Sequence, residues 1–194
     1  MTRLRRYADA GQAFPIYITV VAGLLFLALA YLAVGQAAVN RGGAQTAADA
    51  AALAAAQEAR NQLADMWVDA LSDPAKWSDI FEGKGAGNSC WRAEQLAAEN
   101  DARLNFCDPE LLRYTVEVQT NKTVGDSVVP GTENMKSTKS ATAVIESLCG
   151  TPGDSTTEAL PQLTCKGGKH WEPDPDDPAR LPKPEDLFDV HLAD

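Results

Sequence analysis

The side chains best suited to chemistry are few: Cys90, Cys107, Cys149 and Cys165, the histidines His170 and His191, and the acids of Glu172–Asp177. Four cysteines without a CxxC spacing point to two disulfides in an oxidising space, not to a zinc site. Three pairings are open. Cys90–Cys107 with Cys149–Cys165 closes the shortest loops, but a straight helix between Cys90 and Cys107 would hold that pair apart, so the connectivity stays undecided. Asp174, Asp176 and Asp177 alternate with prolines and have no glutamate at the twelfth loop position of a calcium site, so they read as a solvated acidic linker. No GxSxG, HExxH, Walker loop or strand-borne GxGxxG occurs in the chain. The expectation is a protein without catalysis, cofactor or metal.

The element that must hold these residues lies upstream. From Ala10 to Asn40 there is no charged residue, and Phe14–Val34 is almost wholly apolar. About 20 such residues cross roughly 30 Å of hydrocarbon, with every backbone amide satisfied inside the helix. Arg3, Arg5 and Arg6 against Asp9 make residues 1–9 net +2, so the rest of the chain carries −12 of the formal −10. Positive charge beside the first span is kept in the cytoplasm, which predicts a single-pass protein of the bacterial cell membrane with its C-terminal part outside. So acidic a domain is repelled by nucleic acid and by anionic lipid headgroups, which argues against nucleic acid as a partner. A cleaved signal ending near Ala33-Val34-Gly35 is the alternative, but the apolar run exceeds the usual signal core of roughly 7–15 residues.

Beyond the span, Ala44–Ala64 is rich in the best helix former and contains no breaker. A helix from Pro15 to about Leu71, ended by Ser72-Asp73-Pro74, would be about 85 Å long, with Gly42-Gly43 as its one weak joint. Small side chains let another helix approach closely, so the alanine block reads as a packing face toward a partner. A bulky change such as Ala51→Trp or Ala55→Trp is then expected to remove the partner and leave the distal fold intact. Ser89 reads as the cap of a second helix running to Arg103. Residues 112–120 and 138–146 read as an antiparallel strand pair that must lie on a helix. The Pro- and Asp-rich end reads as a disordered tail, with Leu187–Leu192 as a short docking segment. The fold class is α+β: a long transmembrane helix continuing into an Ala-rich helix, then a small disulfide-containing helix plus β-hairpin domain, then the disordered acidic tail. The boundaries are 1–12 for the cytoplasmic leader, 13–39 for the span, 40–72 for the stalk, 73–165 for the exported domain and 166–194 for the tail.

The stretch from Ala44 to Ala56, with Gln45, Asp49 and Leu53 in register after a span, resembles the signature of TadE/TadG-like proteins of tight-adherence (Flp-type) pilus assembly. The likeness covers roughly residues 11–60. It implies a packing role for Gln45, Ala48, Asp49, Ala51, Ala52, Leu53 and Ala55, with other pilus-assembly or pseudopilin subunits as partners. Gly11, Gln12 and Tyr17 also resemble the prepilin cleavage region, which is cut after a glycine, but Ile16 stands where pilins carry glutamate. The resemblance therefore implies a minor or assembly-side, pseudopilin-like component rather than a major pilin, with cleavage after Gly11 left open. An anchored cell-envelope binding domain is the alternative. A piece starting near residue 72 that folds and binds a ligand alone would favour it.

Overall fold

The computed structural model describes residues 13–123, 133–150, 160–174, 177 and 180–193. Helix α1 (Ala13–Asp69) is 57 residues long and so about 85 Å from end to end. It runs straight through Gly42 and Gly43, where nothing approaches within 4 Å of an added Cβ. The expected joint is continuous helix. In its second half Ala44, Ala47, Ala48, Ala51, Ala52, Ala55, Ala56, Ala59, Leu63 and Trp67 are buried at three- and four-residue spacing, which is one stripe of a helix.

Past α1 the chain forms a 3-10 turn (Pro74–Lys76), α2 (Trp77–Phe81), α3 (Cys90–Glu99), β1 (Ala102–Glu110), β2 (Arg113–Thr120) and β3 (Thr138–Ser147). Then follow β4 (Cys149–Gly150), β5 (Leu163–Cys165), β6 (Lys169–Trp171), α4 (Pro184–Leu187) and β7 (Phe188–Leu192). The main sheet is antiparallel in the order β1-β2-β3-β7, and β4-β5-β6 make a second small sheet. Tyr114, Val116 and Val118 of β2 and Ala143 and Ile145 of β3 are buried in one core cluster with the α1 alanines. Fully buried Leu63, Val116, Val118, Leu163, Leu187 and Phe188 each contribute on the order of 1.5–3 kcal/mol of apolar burial. The Trp67 and Trp77 rings pack tilted at 54° with centroids 5.4 Å apart, and the Trp77 Nε1–H donates to the Ala70 carbonyl at 2.9 Å.

The expected strand pair is β2 with β3. The helix expected to reach Arg103 stops at Glu99. Asn100 Nδ2 donates back to the Leu96 carbonyl at 2.8 Å, and Asp101 takes φ +55°. That left-handed residue reverses the chain into β1, a strand the residue pattern did not suggest. The reversal brings Cys90 and Cys107 to a Cα separation of 6.0 Å and they are bonded, as are Cys149 and Cys165. Ser89 is at the N-cap position, but its side chain does not cap α3. Its Oγ faces the Gly87 carbonyl at 3.4 Å and the Gln62 amide at 3.3 Å, and Asn88 Oδ1 accepts the Cys90 N–H at 2.8 Å.

Two expected boundaries differ from what the fold contains. The segment 40–72 is not a stalk beneath a domain 73–165: its alanines are part of that domain's core, because among the described residues no other helix is long enough to cover the sheet. The described part of 166–194 is not a disordered tail either. Residues Phe188–Leu192 pair with β3 from Ser147 to Ala143, and Phe188 is fully buried 5.5 Å from the Phe81 ring. The Asp/Pro composition upstream conceals a strand that closes the sheet edge.

Candidate anchoring and assembly surface

Most of the first half of α1 is exposed among the described residues. Phe14, Leu27 and Tyr31 are 72%, 63% and 82% exposed. Among the described residues α1 is the one helix long and apolar enough, by length and composition, to cross a membrane. So many large apolar groups in water would be untenable for a soluble monomer, whereas lipid or other apolar helices satisfy them.

Where the exposed half meets the domain, a small polar knot ties helix to sheet. The Thr120 hydroxyl lies 3.1 Å from Asn40 Oδ1 and 3.0 Å from the Lys122 carbonyl, sharing its proton between them. It accepts the Ser137 N–H at 3.1 Å, and Asn40 Nδ2 donates to the Lys122 carbonyl at 3.3 Å. Lys122 Nζ reaches Asp101 Oδ2 at 2.7 Å, and that bond raises the lysine above its ordinary range. Beneath the knot a groove of about 830 Å³ runs along α1 from Leu25 to Asn40, roofed by Thr120, Lys122 and Thr123.

Ala48, Ala51, Ala52 and Ala55 are wholly buried, and Leu53 is half-buried. Their neighbours are not a second protein: α1 packs here on β2, β3, β7 and α3 of the same chain. The small side chains do permit a close approach, but of the chain's own sheet. Gln45 and Asp49 stand at the edge of that stripe, with Gln45 Nε2 donating to Asp49 Oδ1 at 2.8 Å. Both line a cleft of about 350 Å³ with Arg113, Ser140, Thr142, Leu192 and Ala193. Residues far apart in sequence meet there, so only the fold shows the cleft. Tyr17 is exposed, and Gly11 and Gln12 lie outside the described residues.

Other reactive groups are scattered over the surface. His170 Nδ1 lies 3.5 Å from the Thr164 hydroxyl. Glu146, Asp189 and His191 bring one ligand atom each to within 4.8 Å of one another. The residue pattern missed this trio because it depends on β3–β7 register, which sets Glu146 opposite Asp189. All three are exposed, with Lys166 on Glu146 and Asp189 on His191 at 3.2 Å. Lys84 is raised by its bonds to Asp79 and Glu82, a solvated surface cluster.

The class these features define is an α+β protein whose disulfide-bonded domain is built around the far end of an apolar helix fit to anchor it in a membrane. Residues 11–58 match the family model described as "Putative Flp pilus-assembly TadE/G-like", so the span and the first part of the alanine stripe together form a TadE/G-like segment within the first third of the chain. No curated protein and no solved structure matches the chain. The segment and the apolar helix support a membrane component associated with pilus assembly.

Proposed function

We propose that the protein is a single-pass, pseudopilin-like component of a tight-adherence pilus or secretion apparatus, acting by helix packing and without catalysis. The supporting observation is that α1 is one continuous helix, its large apolar side chains exposed over residues 14–39, tied to the sheet at Asn40 and rooted in the domain core over 44–67. A force or displacement on the bare half reaches the domain without a hinge. Packing between subunits then falls on the span. On the side of α1 away from the groove, Gly23, Ala30 and Ala37 recur every seven residues, a spacing that keeps small residues on one helix face and lets a second helix approach closely. The N-terminus is cytoplasmic and the domain lies outside, as the charge asymmetry around the span supports.

The test is Ala30→Trp and Ala37→Trp in the full chain. We expect membrane level and both disulfides to be retained, and co-purifying pilus-assembly subunits and surface pili to be lost. Unchanged partners and pili in both variants would overturn the packing role.

A further inference from the structure

We infer that the cleft between Asp49 and Arg113 takes an extended segment of a partner protein, added to β3 as a short strand and carrying a basic residue followed by an acidic one. The contact is separate from packing along the span. The edge of β3 is the first reason. Strand β7 lies beside β3 only from Ser147 to Ala143, whereas β2 accompanies it on the other side as far as Thr138. Among the described residues no strand lies against Thr138–Ala141 on the β7 side. Successive residues of a strand turn their main-chain groups to opposite neighbours. Ser137 accepts from Thr120 and Ile145 donates to Leu112, both towards β2, while the Thr142 carbonyl accepts the Ala193 N–H on the β7 side. The N–H and C=O of Thr138 and Ser140 therefore point into the open lane, and both residues are exposed. Such an edge is a template for one more strand, and adding one is a general mode of peptide recognition. Leu192 and Ala193 line the cleft where β7 stops, so an occupant continues the line of β7 and runs antiparallel to β3.

The charges of the two walls are the second reason. Residues opposite each other on paired strands share a face of the sheet. The residue opposite Ala141 lies on the α1 face, as Ala143 and Ile145 do in the core. There it meets Asp49, whose Oδ1 accepts the Gln45 amide at 2.8 Å and whose Oδ2 is left for a cation. The residue opposite Ser140 lies on the other face. That is the face of Arg113, since its neighbour Tyr114 is buried under α1. Arg113 Nε stands 4.0 Å from Glu110 Oε2, which leaves the terminal nitrogens of the guanidinium for a carboxylate. Antiparallel direction puts the residue opposite Ala141 first, so the order is basic, then acidic. Lys139, two residues before Ala141 on the α1 face, disfavours a second basic residue and suits an apolar one. The cleft of about 350 Å³ is much larger than the roughly 30 Å³ share of one water.

The full chain, isotope-labelled and held in phosphatidylcholine nanodiscs, would be titrated with acetyl-Lys-Glu-Val-Thr-amide while amide hydrogen exchange is followed by NMR. We expect the peptide to slow exchange at Ser140 by about tenfold at saturation, as its amide passes from an open edge into a strand bond. The same peptide methylated on its glutamate nitrogen, which then cannot donate to the Ser140 carbonyl, should leave that exchange unchanged. Replacing the lysine by norleucine should weaken binding about fivefold, the upper range for a partly exposed ion pair. Asp49→Asn should bring these two peptides to equal affinity, with the Ile145 amide, bonded to Leu112, still protected as the sign of an intact sheet. A Ser140 amide protected before any peptide is added would mean that the chain closes its own edge, and would overturn the site. So would exchange at Ser140 unmoved by millimolar peptide, equal binding of the methylated peptide, or a lysine preference that survives in Asp49→Asn.

Discussion

Helix α1 is one helix with two solvents. Over residues 14–43 its large apolar side chains point outward, and Leu24, Phe26 and Val34 are each more than half exposed. Over residues 44–59 every buried side chain is an alanine, and Ala44, Ala47, Ala48, Ala51, Ala52, Ala55 and Ala56 are wholly buried. Size and burial run opposite to a simple hydrophobic ranking. Leucine and phenylalanine suit the half that meets lipid, where bulk fills the acyl region. Alanine suits the half that meets a sheet, where each added methylene would push the strands away. Backbone hydrogen bonding is the same throughout, so the difference lies only in what must fit beside the helix.

Substitutions of the same kind in the two halves should therefore have opposite consequences. The largest effect is expected from Ala55→Trp, or equally Ala51→Trp. Either residue is buried without free space, and overpacking by a whole indole should cost more than about 3 kcal/mol and unfold the domain. Loss of the cooperative thermal transition would show it, while Ala30→Trp leaves that transition in place. A folded Ala55→Trp protein would break the comparison and return the alanine face to a partner. Next is Leu27→Arg, expected to cost on the order of 3 kcal/mol of insertion at the helix centre. Membrane fractionation should find the variant depleted from the membrane with its domain still melting cooperatively.

The disulfides sharpen the domain side of the contrast. Opening Cys149–Cys165, which closes a loop of 16 residues, should destabilise the domain by about 3 kcal/mol. The shift in denaturant midpoint of Cys149→Ala/Cys165→Ala measures this, with membrane level unaffected. Four alkylatable thiols in freshly isolated protein would contradict the bridges altogether. The smallest effect is expected at the junction. Asn40→Ala leaves the Thr120 hydroxyl with the Lys122 carbonyl as acceptor and should cost about 1 kcal/mol. It should appear as faster amide exchange at Ser137, whose N–H donates to the Thr120 hydroxyl, before any change in global stability.

Legibility in the sequence followed the range of the interactions. Strands β2 and β3 were readable because Tyr114, Val116 and Val118 alternate with polar neighbours, a pattern carried within one segment. Strand β1 was not, since its existence depends on a backbone reversal at Asn100-Asp101 that no glycine announces. Strand β7 lay behind an Asp- and Pro-rich stretch, and its five residues earn their place only through Phe188 meeting Phe81. The Gln45–Asp49 cleft was half readable. The two residues stand four apart on one helix face, but Arg113, Thr142 and Leu192 reach them only through sheet register.

The apolar span, the acidic balance of the residues after it and the even cysteine count could be read from sequence alone because each follows from composition over a contiguous stretch. The helical state of residues 13–69 could be read too, since alanine and leucine favour helix and no proline interrupts them after Pro15. Tertiary structure decided what the alanines touch, how the cysteines pair and where the domain begins. Those depend on which surfaces meet across long loops, and a stripe of small side chains says how closely a neighbour approaches without saying which neighbour it is. Here it is the chain's own sheet, while the first half of the same helix stays largely exposed, long and apolar enough to cross a membrane.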